Sequence, residues 1–440
     1  MKLNFSQKDM DTATFPFSYV RTLMVAGTGG AEINECLMAG EKIKENDTES
    51  WVREWVTIAE QVNHTAEQAM LSGQTVTARQ AYLRASNYYR TATFYLPHTD
   101  DRLDKYLTLT RDAFQKAARM FSPEIEVLQI PFENAQLPAY FLSAGQPQSP
   151  TLIAINGADS SNEELVHWIG FAALARGWNF LVFEGPGQWS ALQLNPGLVL
   201  RPDFEAPVKA VVDTLLQRSY VDPDRIAMIG YSLGGCLAAR AAAFEKRISA
   251  TICVGLVVDV NDAIIADMPV WLQRSPDLVF DSLFGLVEKF SQRNAALLSH
   301  FMWMFGVSRF REVIEAWRPF NLDGLAPQIE KPLLLIAGEE EYAQVKGKVM
   351  MDIMRFLGDV TGPVSMHQFD FSEGWAGSHC QIGALSQIQA VVFDWLEHVV
   401  IKKDQIIKTD SRAVFSVMNK YLRLSREVEQ LEKNIRVSSV

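Results

Sequence analysis

Five short, almost wholly apolar runs constrain this chain most. They cover residues 151–155, 179–183, 226–229, 250–254 and 332–336. Four or five consecutive apolar residues are too few for a buried helix. They also lack the alternation of a strand with one wet face. Such runs fit strands covered on both faces, as in a parallel sheet. Helical stretches at 164–176, 204–219 and 235–245 separate them. Parallel neighbours need crossovers of that kind, so the class is α/β with a mostly parallel central sheet. Just upstream, 124–131 alternates and 137–142 follows a polar turn, which predicts a hairpin.

The sheet pattern leaves much of the chain over. The sequence has 440 residues, against a prior of about 150 per domain. Residues 15–122 read as helical. Trp51, Trp55, Ile58 and Val62, at spacings of 4, 3 and 4, make one apolar stripe over 49–70. A second helix is expected over 77–95, with a stop and turn at 71–74. From 257 to 331 the strand–helix alternation breaks, and aromatic residues such as Trp271, Phe280, Phe301, Trp303 and Phe305 predict an inserted helical segment. The expected organisation is a helical region at 1–123, an α/β body at 124–405 with its insert at about 257–331, and an amphipathic helix at 406–440. Leu424, Val428, Leu431 and Ile435 form the stripe of that last helix.

Composition narrows the partners. With 48% hydrophobic and 21% charged residues, the chain can bury a large core, which excludes disorder as its main state. The 52 acidic and 41 basic residues sum to −11, so neither nucleic acid nor an anionic membrane is an expected partner. No apolar run approaches the roughly 18 residues of a membrane helix. The first residues lack an apolar signal-peptide core. Cys36, Cys236, Cys253 and Cys380 form no CxxC pair, so neither a zinc site nor a disulfide scaffold is expected. A reducing, cytoplasmic setting fits these features, and no cofactor or metal is expected.

One motif carries chemistry in the right context. Gly230-Tyr231-Ser232-Leu233-Gly234-Gly235 follows the run 226–229 and opens the helical run 235–245. A strand-to-helix turn this tight needs flanking positions without side chains, and it lifts the serine above the sheet at a helix N-terminus. Ser232 is the candidate nucleophile. Such a serine needs a base and an acid later in the chain, in the order Ser, Asp/Glu, His. Of seven histidines, only His379 sits in a late, glycine-bearing loop after a strand-like run. The acid is expected just past the run 332–336, where the chain reads Gly338-Glu339-Glu340-Glu341. Glu341, three residues beyond the glycine, is the first choice, with Glu340 or Glu339 as alternatives. Backbone donors for an oxyanion are expected from Leu233 and from the turn after 151–155, at Ala158 or else Asp159. Glu184, which follows the run 179–183 on the same sheet edge, opens a turn expected to be structural, though Glu184 itself could face a pocket.

These residues bear a family resemblance. Glu49, Trp51, Glu54 and Trp55, the stretch 78–89 containing Tyr82, Asn156-Gly157, the stretch 183–188, the serine motif, and Glu373-Gly374 with His379-Cys380-Gln381 together resemble one group of α/β-hydrolases. It contains fermentation-respiration-switch-like esterases, 2,6-dihydroxypseudooxynicotine hydrolase and fungal polyketide-shortening pigment hydrolases. The resemblance spans roughly residues 50–385. It implies a helical N-terminal lid over the active site and a pocket between lid and sheet, with Tyr82 among the residues near it. Members are often dimers, so a homodimer is an expectation. Several cleave a carbon–carbon bond beside a ketone. Two departures stand out: Glu341 where Asp is commoner, and Trp375 where a small residue is usual, which is expected to reshape the pocket. The reading is a serine hydrolase for an apolar or aromatic, polyketide-like acyl substrate. Ester, lactone or thioester hydrolysis, acyl transfer and cyclisation by the same triad remain open.

Overall fold

A computed structural model describes residues 14–266, 268–277, 279–283, 292–339, 341 and 347–403. Glu340 and the expected tail helix at 406–440 lie outside these residues. Eight strands form one sheet in the order β1-β2-β4-β3-β5-β6-β7-β8. They are β1 Glu126–Phe132, β2 Ala135–Leu142, β3 Ser149–Ile155, β4 Asn179–Phe183, β5 Val221–Tyr231, β6 Ala250–Val254, β7 Leu333–Gly338 and β8 Val364–Phe369. β1 and β2 pair antiparallel as the predicted hairpin, and β2 meets β4 antiparallel. The other six strands run parallel. β3, β4 and β6 are buried at every position, as their unbroken apolar runs require.

The strand order positions the site. The chain leaves β3 for β4 on one side, then returns to place β5 on the other. Loops leaving β3 and β5 therefore part in opposite directions and open a crevice at the strand C-termini, where open α/β sheets bind ligands. Ser232 follows β5 directly, and the turn 156–160 follows β3.

Five helices precede the sheet: α1 Phe15–Leu23, α2 Ile33–Lys42, α3 Thr48–Leu71, α4 Thr75–Thr93 and α5 Asp101–Ala118. Asp47 caps α3 by accepting from the Ser50 amide. The α3 stripe buries Trp51 and Trp55 completely against Phe15, Tyr19, Tyr88 and Tyr95. Burying each indole contributes roughly 2–3 kcal/mol. These helices share one hydrophobic cluster with Leu152, Ala154, Val182, Ala227 and Ile229 of the sheet. The opposite sheet face packs on α6 Glu205–Leu215 and α7 Leu233–Phe244. The insert supplies α8 Gln292–Phe305 and α9 Phe310–Trp317. Trp317 meets Phe305 edge-on at 4.7 Å and packs on Phe320, so much of the insert's aromatic content is core.

Candidate active site

The serine turn is built by exclusion. A Cβ at Gly230 would lie 1.9 Å from the Gly234 carbonyl oxygen, and one at Gly234 would lie 2.5 Å from that of Ile155. Neither position admits a side chain. Ser232 holds φ +56°, ψ −122°, a conformation costly for a non-glycine residue and characteristic of functional sites. Its amide donates to the Val254 carbonyl at 2.8 Å, which ties the strained turn to β6.

Three further strand ends meet it. His379 Nε2 lies 3.0 Å from Ser232 Oγ. His379 Nδ1 lies 2.8 Å from Glu341 Oε1. Glu341 Oε2 accepts from the Gly338 amide at 2.9 Å, and Oε1 accepts from the Cys380 amide at 3.3 Å. Cys380 Sγ sits 3.5 Å from His379 Nε2, on the same nitrogen as the serine. Burial opposes the charged imidazole, but Cys380 and Glu341 beside it outweigh that and hold His379 well above its ordinary range. Burial also pushes the Cys380 thiol up. Among the described residues, Glu341, His379 and Cys380 are also the group whose ligand atoms come close enough for a metal ion.

The turn after β3 lies against the serine. The Cβ position of Gly157 lies 3.3 Å from Ser232 Cβ. Each carbonyl of 156–159 accepts a side-chain hydrogen bond. Gln188 Nε2 donates to the Asn156 oxygen at 2.7 Å and the Gly157 oxygen at 3.1 Å. His300 Nε2 donates to the Ala158 oxygen at 2.7 Å. Arg90 and Arg21 donate to the Asp159 oxygen. In a trans peptide the N–H opposes the C=O, so these bonds fix where the following amides point. The amides of Ala158, Asp159 and Leu233 have no acceptor among the described residues.

A cavity of about 400 Å³ covers this centre. Its wall takes Phe17 and Arg21 from α1, Phe94 and Tyr95 from the turn after α4, and Leu297 and Phe301 from α8. Ala158, Asp159, Ser232, Glu341 and His379 also line it. Glu184, Tyr82 and Trp375 do not. Glu184 is fully buried and accepts from the Asn162 and Ser190 amides, so it holds two helix starts beside β4. Burial and then Glu163 push its carboxyl up to about 7. Tyr82 is buried in α4, with Lys116 over its ring. Trp375 packs against Gly383, away from the cavity.

Sequence reasoning missed Arg21, Arg90, Gln188 and His300. Arg21 pairs with Asp159 at 2.8 Å and with Glu164 at 2.6 Å, and Arg90 reaches Glu164 at 3.0 Å. Burial lowers Arg90 to about 10. No motif flags an arginine on a helix 138 residues from its partner. For Gln188, the Gly-Pro-Gly before it marked a turn without revealing what its amide would hold.

Known proteins agree with this architecture. The sequence profile of the FrsA-like esterases matches residues 44–305. The hydrolase acrC of Aspergillus aculeatus is 32% identical over 424 residues, covering 89% of this chain and 98% of that protein. The 20-hydroxy-prefusarin hydrolase FUS2 of Gibberella moniliformis is 30% identical over 415 residues, covering 89% and 97%. The crystal structure of 2,6-dihydroxy-pseudo-oxynicotine hydrolase superposes with a TM-score of 0.70 at 21% identity, over 89% of this chain and 98% of that one, and shares the fold. No helix among the described residues is long and apolar enough to cross a membrane. By the extent of these matches, the chain is an α/β-hydrolase enzyme and belongs to the FrsA-like esterase family.

Proposed function

We propose that Ser232, His379 and Glu341 are the nucleophile, base and acid of an acyl-enzyme hydrolase acting on a polyketide-like substrate. The observation that carries this reading is the unbroken relay from Ser232 Oγ to His379 Nε2 at 3.0 Å and from His379 Nδ1 to Glu341 Oε1 at 2.8 Å, at the floor of the cavity. Ser232 attacks a ketone carbonyl while His379 takes its proton. Glu341 fixes the imidazole tautomer and stabilises the imidazolium. The amides of Leu233 and Ala158 hold the oxyanion, with Asp159 as the alternative second donor. Collapse breaks the carbon–carbon bond. The electron pair leaves as a carbanion stabilised by a neighbouring carbonyl or aromatic ring, and His379 returns the proton to it. Water, deprotonated by His379, then releases the acyl group from Ser232.

The helical region at 1–123 acts as the lid of this site, over a body at 124–405. The apolar wall around the serine suits a long acyl or aromatic chain, in keeping with a relative named for 20-hydroxy-prefusarin. A second reading keeps the triad and cleaves an ester, lactone or thioester; the esterase profile over 44–305 favours it. The test is turnover of an aryl ester and of a polyketide-type β-diketone, beside Ser232→Ala and with a fluorophosphonate probe. The proposal expects diketone cleavage and Ser232 labelling. Ester turnover alone selects the second reading. Neither turnover nor labelling ends both.

A further inference from the structure

Besides Glu341, the cavity wall holds the carboxylate of Asp159. Asp159 sits one residue beyond Ala158, beside the oxyanion position, and 49% of its side-chain surface remains accessible. It lines the cavity, so part of that surface faces the substrate space. Burial alone would push its carboxyl up, but Arg21 and then Arg90 outweigh that and hold Asp159 well below the usual carboxylate range. It is therefore an anion whenever substrate enters.

The hydrogen bonds show which valence is open. Arg21 Nη1 donates to Asp159 Oδ2 at 2.8 Å. Oδ1 accepts nothing from any described residue. The neighbouring donor is nearly spent: four bonds, to Glu164 Oε1 and Oε2, Asp159 Oδ2 and the Asp159 carbonyl, occupy four of Arg21's five N–H groups. Ser160 Oγ is also engaged, accepting from the Gly157 amide and donating to Asn156. Ser18 and Tyr95 bond to each other. Beside the open amides of the serine and β3 turns, the wall near the serine thus also offers an open acceptor, Asp159 Oδ1.

The net charge around that acceptor selects the donor. Arg21 and Arg90 against Asp159 and Glu164 sum to zero. A cation would find little excess negative potential here and would lose its hydration among Phe17, Phe94, Trp168 and Phe301. A neutral hydroxyl or amide N–H loses far less on entry and gains a charge-assisted hydrogen bond.

We propose that Asp159 Oδ1 is a recognition site for a neutral hydrogen-bond donor, a hydroxyl or amide N–H, carried by the acyl chain close to the scissile carbonyl. This rests on Ser232 being the nucleophile of the same cavity. A carboxylate there would reject chains bare of donors, because its shell of water must otherwise be lost without replacement.

The test uses the full chain and para-nitrophenyl esters of short acyl chains. A hydroxyl is placed at successive carbons from the carbonyl, each ester paired with its O-methyl ether, plus one ester with an ammonium at the preferred carbon. Wild type should favour one hydroxy ester over its ether by about ten- to hundredfold in kcat/KM, and over the ammonium ester. Asp159→Asn and Asp159→Leu should bring that ratio toward one. The ratio is read within each protein, so a general loss of rate cancels. No preference in wild type overturns the proposal without any variant. A ratio that survives in a variant still labelled at Ser232 overturns it too. A best rate with the ammonium ester overturns the neutral-donor assignment. Failure of every ester together with absent fluorophosphonate labelling strikes the triad reading instead.

Discussion

Gly255 stands where no side chain fits. Its φ is +75°, and a Cβ there would lie 2.6 Å from Glu341 Oε1 and 3.5 Å from His379 Cε1. Gly255→Ala should therefore move the carboxylate off the imidazole, and kcat should fall nearly as far as in Glu341→Gln. For Glu341→Gln itself the expected loss in kcat is about 10³–10⁴-fold, since the amide supports the wrong tautomer. Steady-state kinetics on folded protein checks both; near-normal turnover in Glu341→Gln would take the acid role from this residue. The pH profile gives an independent readout. The base must be neutral to act, and His379 is held above its ordinary value of about 6.5. Activity should rise with pH and reach half its plateau above that value. Removing the anion in Glu341→Gln should move this limb to lower pH, read as kcat/KM against pH. At this scale the sequence was informative wherever chemistry repeats locally. Gly230 and Gly234 bracket Ser232 because backbone oxygens crowd both positions. Glu341 lies three residues past Gly338, whose amide its carboxylate accepts. Arg21 and His300 carry no local pattern, because their partners are set by packing between distant elements.

Elements explain how the turn after β3 is held. Gln188, in the turn after β4, binds the Gly157 carbonyl and so orients the Ala158 amide. His300, on α8 of the insert, binds the Ala158 carbonyl and so orients the Asp159 amide. Burial keeps His300 low, and so neutral, and Trp189 stacks on it with ring centres 4.3 Å apart. The two side chains separate the two candidate oxyanion donors. With Ala158 as the donor, Gln188→Met should lower kcat by about 10²-fold with little change in KM. His300→Leu should cost about tenfold or less, and His300→Gln should regain part of it. The reverse order of effects would move the donor to Asp159. Kinetics below each variant's unfolding midpoint makes the comparison. The insert's aromatics were visible as a composition shift, but their division was not. Phe305 and Trp317 are core, whereas Phe301, one turn earlier on the same helix face, packs on Trp317 and also reaches the cavity.

The whole molecule is joined by more than a lid resting on a body. One hydrophobic cluster runs from Phe15 through Trp51 and Tyr88 to Leu152, Val182 and Ile229 of the sheet, and on to Val400. Across the same junction Arg21 and Arg90 meet buried Glu164 and half-exposed Asp159 in a four-residue network. A boundary near 123 is thus a change of architecture rather than a seam. The chain from 124 to 403 expressed alone should expose the face that α4 and α5 cover, bind a hydrophobic dye and lose cooperative urea unfolding; a sharp, dye-free transition would show an independent body. The network makes a finer prediction. Arg21→Met strips Glu164 of its bidentate partner in a dry site, and breaking a buried pair from one side costs about 3–5 kcal/mol. That loss should appear as a lower urea midpoint with an unchanged slope. Arg90 still reaches Glu164 at 3.0 Å, but with Asp159 beside it two carboxylates then face one guanidinium; adding Glu164→Gln removes that excess charge, so the double variant should be more stable than Arg21→Met alone. If Glu164→Gln instead lowers stability further, the two residues act separately, and the helices are held to the sheet by apolar packing alone.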